Sequence, residues 1–186
     1  MEKYLGTNAN FSNFDRQEMA TLLDLAAEAA KQGEVPIAAA LWRGDELLCR
    51  SYNLREAKPN PLGHAELLCL QEGARRLSTR HLSETTLYCT LEPCMMCLGA
   101  ILEARIGRLV YSASSEKTGA IHLLNTELAR HQPVVDAGLL AADSSRLLQE
   151  FFQNKREMRR QLGSQATRRK LYEAGYKKLI IDEQED

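Results

Sequence analysis

Two short stretches hold the residues that could do chemistry, His64-Ala65-Glu66 and Pro93-Cys94-Met95-Met96-Cys97. They offer one imidazole, two thiolates and a spare carboxylate. That set makes a zinc site of three protein ligands, His64, Cys94 and Cys97, with a fourth position open to water and Glu66 beside it as acid and base. Cys94 and Cys97 lie three residues apart at a helix start, so both sulfurs share one side, near the positive end of a helix dipole that favours thiolates. A Cys-x-x-Cys alone could equally be a redox pair or half of a structural zinc ribbon. A ribbon requires a second such pair or paired histidines, which the chain lacks, and a redox pair leaves His64 and Glu66 unexplained. A single histidine at a helix start is more often a cap or a packed ring than a ligand, so it is the joint pattern that points to metal.

Zinc with these ligands lowers the pKa of a bound water toward neutrality. Glu66, two residues from His64, projects away from the imidazole. It can take the water's proton, deliver it to a ring nitrogen and later protonate a departing amine. The chemistry implied is hydrolytic deamination of an amidine-like carbon in a nucleobase.

The elements that must position these residues follow from periodicity and punctuation. Apolar residues at Met19, Leu22, Leu23, Ala26 and Ala30 predict an amphipathic helix over 15–31, capped by Ser12 or Asn13 and stopped at Gly33. Residues 37–42 and 47–53 read as a hairpin closed by Arg43-Gly44-Asp45, and 54–63, with Pro59, Asn60, Pro61 and Gly63, as irregular chain. A helix follows over 64–77, a strand over 85–90, a helix over 93–105 with Pro93 in its first turn, and a strand over 108–113. Beyond these, the pattern predicts a helix over 122–130, a short strand over 133–135, and a long helix capped by Asp143 or Ser144. Leu147, Leu148, Phe151, Phe152, Met158 and Leu162 mark its inner face, Gly163 ends it, and a basic helix over 165–174 follows. Alternating strands and helices argue for a layered α/β domain whose opening hairpin makes the sheet mixed. His64 and the two cysteines then fall at strand-to-helix turns on one sheet edge, where open α/β sheets build their sites.

At 186 residues, 44% of them apolar, and a formal net charge of -1, one domain is expected. No apolar run reaches the roughly 18 residues that span a bilayer, and the N-terminus lacks the pattern of a signal peptide, so no membrane partner and a cytoplasmic location are expected. Cys49, Cys69 and Cys89 sit in apolar stretches and read as small hydrophobes, in keeping with reduced thiols rather than a disulfide framework. From Phe152 to Leu179 there are nine Lys or Arg against two Glu, a segment that can serve a phosphate backbone or simply form a solvated face. The expected division is a zinc-dependent domain over 1–162 and a basic helical extension over 163–186.

On its motifs the chain resembles the bacterial tRNA-specific adenosine deaminases of the cytidine deaminase-like fold. The likeness runs from about Gly33 to Arg156, and its carriers are Gly33-Glu34-Val35-Pro36, Tyr52-Asn53, Pro61 with His64-Ala65-Glu66, Thr90 to Ala100, Arg105-Ile106-Gly107, Lys117-Thr118-Gly119, and Phe151-Phe152 with Arg156. The resemblance implies a three-layer α/β/α fold with a mixed five-stranded sheet, a homodimer, and zinc on His64, Cys94 and Cys97 with Glu66 as proton shuttle. It also implies that Asn53, Ile37 and Ala65 meet the flipped adenine and that Lys117, Phe151, Phe152 and Arg156 contact the anticodon loop. Stacking surfaces and cations suit a single-stranded loop read by base extrusion. Read without the family, Asn53 could close a turn, one of the two phenylalanines could be core, and Lys117 could be a solvated charge. The chain departs from the family pattern at Leu62-Gly63, Ala38 and Ser115, all flanking substrate. Two other readings remain beside a tRNA adenosine-to-inosine deaminase: an enzyme acting on free guanine, cytosine or a nucleoside, and a catalytically silent RNA-binding subunit, which would be expected to lose Glu66.

Overall fold

Five strands set the positions of the turns that hold His64 and the two cysteines. In the computed structural model they form one sheet in the order β2-β1-β3-β4-β5. The structure describes residues 11–57, 59–125 and 131–161; the basic helix expected over 165–174 and the extension over 163–186 lie outside the described residues. The chain divides into two compact units, Met1–Leu148 and Gln149–Asp186.

In the first unit, α1 (Asn13–Lys31) starts at a capping box in which the Ser12 side chain accepts from the Asp15 N–H and Asp15 reaches back to the Ser12 N–H. Ser12 is thus the cap, and Gly33, with φ +84°, turns the chain out of the helix. Strands β1 (Ala38–Arg43) and β2 (Glu46–Tyr52) form the expected hairpin. Next come α2 (Ala65–Leu77), β3 (Thr85–Leu91), α3 (Met95–Glu103), β4 (Arg108–Ala113) and β5 (Val134–Ala137), with α4 (Ala141–Gln161) running into the second unit. β1 is antiparallel to both neighbours, while β3, β4 and β5 are parallel, so the sheet is mixed.

Side chains alternate across this sheet and sort into two layers. Ala39, Leu41, Leu87, Cys89, Leu109 and Tyr111 face one core with Cys69 and Leu70 of α2 and Leu98 and Ile101 of α3. Ala38, Ala40, Tyr88 and Val110 face the other with Met19, Leu22 and Ala26 of α1. This is the three-layer α/β/α arrangement. Cys69 and Cys89 are buried in the first core and Cys49 is packed against it, as small hydrophobes would be. Among the described residues no helix is long and apolar enough to cross a membrane.

Three local expectations are corrected. Pro93 lies one residue ahead of the cap of α3, not in its first turn, because Cys94 is extended and occupies the cap. A short 3-10 helix, Ile121–Asn125, stands where a helix over 122–130 was expected, and the remainder lies outside the described residues. Its start is held by tertiary bonds, the Ala120 N–H to the Pro93 carbonyl and the Ile121 N–H to Glu92, which periodicity does not encode. Neither Asp143 nor Ser144 caps α4, which begins two residues earlier after Leu140 at φ 55°. The Ser144 hydroxyl donates instead to the Thr90 carbonyl and fastens the start of α4 to β3.

Candidate active site

β2 and β3 run in the same direction, each antiparallel to the β1 between them, so their carboxyl ends share one edge of the sheet. His64 follows the first and Cys94 the second. Each is the N-cap of its helix, in extended conformation, and neither makes a capping hydrogen bond through its side chain. Both side chains are therefore spare at the positive ends of two helices. Cys97 comes from the first turn of α3.

The three donors meet. Cys94 Sγ and Cys97 Sγ are 3.6 Å apart, and His64 Nδ1 lies 3.9 Å from the first and 3.5 Å from the second. Among the described residues this is the group of His, Cys and carboxylate side chains placed to hold a metal ion. Burial, the Glu66 carboxylate and the nearby Cys94 push the Cys97 thiol up from its ordinary range. Burial and the Arg55 charge lower the imidazole, favouring the neutral form that can ligate. Two thiols this close, one buried, are costly to ionise unless a cation sits between them.

Glu66 is 4% exposed and its Oε2 is a buried acceptor with no hydrogen-bond partner. Its first turn of α2 lays it against the Cys97 thiol, and burial raises its pKa. A buried carboxyl that leaves one oxygen idle beside two thiols and an imidazole differs from a satisfied structural carboxylate.

Asn53, 1% exposed, accepts the Ala65 N–H at 3.0 Å through Oδ1. It thus satisfies a donor at the start of α2 that His64 leaves uncapped, and its amide NH2 keeps the donor side. The turn-closing and substrate readings of Asn53 use different ends of one side chain. Ala65 is wholly buried beside it, and Ile37 is half-buried against the first core. Lys117 is exposed in the loop after β4. Phe151, Phe152 and Arg156 belong to the second unit, where the two rings meet edge to face at 5.4 Å and Lys155 lies over Phe151. Phe151 is buried and Phe152 is 42% exposed. The structure brings His64, Cys94, Cys97, Glu66, Asn53 and Ala65 together within the first unit.

Glu92 was missed by sequence reasoning. Its carboxylate accepts the N–H groups of Ser115 and Ile121 and so staples the loop after β4 to the strand end that leads into the cysteines. A Cβ at Gly119 would overlap that carboxylate, and Gly119 forms a bridge with Cys94. The available signal was a glutamate immediately before Pro93 at a strand end, where an exposed charge would be unremarkable. Ser115, a departure from the family pattern, is absorbed by the same staple and pairs its hydroxyl with Thr118 at 2.9 Å. Gly63 has an equally local reason: a Cβ there would overlap the Leu54 carbonyl, whose neighbouring N–H closes the loop onto Gly63.

The chain is similar to known proteins over most of its length. Residues 13–156 match the family model for MafB19-like deaminases. The chain is 41% identical over 151 residues to the tRNA-specific adenosine deaminase of Haemophilus influenzae, covering 78% of this chain and 87% of that one. It is 37% identical over 150 residues to the corresponding Bacillus subtilis enzyme, covering 78% and 93%. A solved structure from work on A-to-I editing by tRNA:A34 deaminases at the wobble position superposes with a TM-score of 0.68 at 34% identity, covering 71% of this chain and 99% of that one. The chain is therefore a MafB19-like deaminase and a member of the tRNA-specific adenosine deaminase family.

Proposed function

We propose that the chain hydrolyses adenosine to inosine at the wobble position of a tRNA anticodon loop. The observation that carries the chemistry is the His64, Cys94 and Cys97 triangle with the Glu66 carboxyl, its Oε2 unpartnered, beside it. Relatives at 41% and 37% identity that are tRNA-specific adenosine deaminases support the substrate.

Zinc is the metal we assign to the triangle. Bonds of ~2.3 Å to sulfur and ~2.1 Å to nitrogen in a tetrahedron put two sulfurs about 3.8 Å apart and each about 3.6 Å from the nitrogen. The separations of 3.6, 3.9 and 3.5 Å match this shape. Bound there, zinc would supply Lewis-acid activation of water at neutral pH. Glu66 takes one proton from the attacking water and delivers it to the ring nitrogen next to C6, then takes the second from the new C6 hydroxyl and passes it to the amine, which needs it to leave. The water oxygen bonds to C6, the C6–N bond breaks, and ammonia departs. The Asn53 amide orients the extruded base, with Ile37 and Ala65 as pocket wall. Lys117, Phe151, Phe152 and Arg156 supply cations and a stacking surface for the loop.

The same reading takes the protein to be cytoplasmic and homodimeric, with residues 1–162 as the deaminase domain and 163–186 as an extension whose Arg168, Arg169 and Lys170 add grip on RNA. The test offers the purified chain an anticodon stem-loop with adenosine at the wobble position and, in parallel, free adenine, guanine and cytosine. Inosine in the stem-loop with ammonia released one for one is the expected result; ammonia from a free base alone would overturn the substrate assignment.

A further inference from the structure

Residues 54–63 join Asn53 to His64, so the shape of this loop sets the spacing between a proposed base contact and a proposed metal ligand. The loop closes on itself. The Leu54 N–H donates to the Gly63 carbonyl at 2.8 Å, the Gly63 N–H to the Asn60 carbonyl at 3.1 Å, and the Leu62 N–H to Asn60 Oδ1 at 3.0 Å. Such tying of the two ends is the mark of a surface loop of the Ω kind.

Its neck is held from outside by one side chain. Glu34, between α1 and β1, is 1% exposed. Its Oε2 accepts the Arg55 N–H at 2.9 Å and the Glu56 N–H at 3.1 Å, and its Oε1 accepts the Glu56 N–H at 2.9 Å and the Ala57 N–H at 2.8 Å. Three successive amides converge on a single carboxylate, a concave anion-binding turn whose anion belongs to the protein itself. Helix α1 does not need this bond, because its own end is closed by the Gln32 and Gly33 N–H groups. A buried charge spent wholly on a loop beside the site, with no role in the sheet, is placed for the geometry of that loop.

We infer that Glu34 is a positioning residue for the reaction, fixing the neck of the 54–63 loop and through it the separation of Asn53 and His64. The inference rests on the deaminase reading above. The two carboxyl oxygens of Glu34 together offer acceptors to all three amides. Glutamine keeps the shape but replaces one acceptor with a donor that opposes an N–H, and alanine leaves the amides to water.

The test compares full-length wild type with Glu34→Gln and Glu34→Ala, and with Tyr88→Phe as a control that loses a buried hydrogen bond to Asp15 on the α1 side of the sheet. Steady-state rates on the wobble-adenosine stem-loop, metal content and amide exchange are measured well below each melting temperature. KM should rise about tenfold in Glu34→Gln and further in Glu34→Ala, with kcat within about threefold and one metal per chain retained, because alignment is lost while the ligands stay in place. The Arg55, Glu56 and Ala57 amides should lose protection in that same order. Tyr88→Phe should melt lower and keep both constants. Unchanged exchange at the three amides, or Glu34 variants kinetically like Tyr88→Phe, would overturn the inference. An inactive wild type would instead bring down the deaminase reading and the kinetic role of Glu34 with it, while exchange would still decide whether Glu34 anchors the loop.

Discussion

The first unit contains two dense polar clusters, and they are built on opposite terms. On the α1 side, Asp15 accepts from Tyr88 at 2.6 Å and from Arg108 at 2.7 Å, closes the Ser12 cap, and leaves Arg108 to pair also with Asp136 at 2.7 Å. Every charge there has a partner. On the α2 and α3 side, Glu66 keeps an oxygen without a partner, two thiols crowd a histidine, and two helix caps decline to cap. The first cluster ties α1 to β3, β4 and β5 and is complete. The second is complete only with something added, which is how a site differs from a staple.

Substitutions should separate the two. The largest effect is expected for Glu66→Ala, which should lower kcat by roughly 10³-fold or more while one zinc per chain remains. Metal loss in that variant, read by elemental analysis, would make Glu66 a ligand and erase the distinction between triangle and shuttle. Next, Asp15→Asn should cost about 3 kcal/mol of unfolding free energy by denaturant titration, since it strands part of the Arg108 charge, with kcat and KM unchanged. A fall in activity at unchanged stability would show that the clusters are coupled.

The acid limb of stability belongs to the complete cluster as well. Hydrogen bonds from Arg108, Tyr88 and Ser12 outweigh burial and hold the Asp15 carboxyl well below the usual carboxylate range. A depressed folded pKa contributes stability that is fully present above the unfolded value near 4 and drains away as pH falls below it. Melting temperature against pH should therefore drop more steeply below about pH 4 in wild type than in Asp15→Asn. Parallel curves would place the acid lability elsewhere. The smallest effect concerns RNA alone: neutralising Arg156 and Arg160 should reduce the slope of log affinity against log salt by about one per charge removed. An unchanged slope would return that helix face to solvent.

How much of this was readable in the chain depends on the range of the interaction. The meeting of His64, Cys94 and Cys97 was legible because they come as spaced motifs at the starts of α2 and α3, and helix dipoles and strand-to-helix turns are local facts. The mixed sheet was legible from the Arg43-Gly44-Asp45 turn and the buried runs on either side of it. The cap of α4 was misread because Ser144, an ordinary capping residue, donates across to β3 instead. The anchoring of the loop after β4 and of the 3-10 helix was missed because Glu92 takes their amides from 23 and 29 residues away. Glu34 and Glu92 stand in motifs that carry the family likeness but have no role legible there; only the fold reveals that backbone amides surround them.

His64 and Cys94, as caps that make no capping bond, carry one more consequence. A side-chain cap contributes about 1 kcal/mol to a helix, and two adjoining helices here forgo it. A single cation held by those two residues and Cys97 would serve as one shared terminus for both helices, welding the end of α2 to the end of α3. Loading the metal would then be a step in the maturation of the fold, and the order of the sheet edge where substrate must enter would report whether that step had taken place.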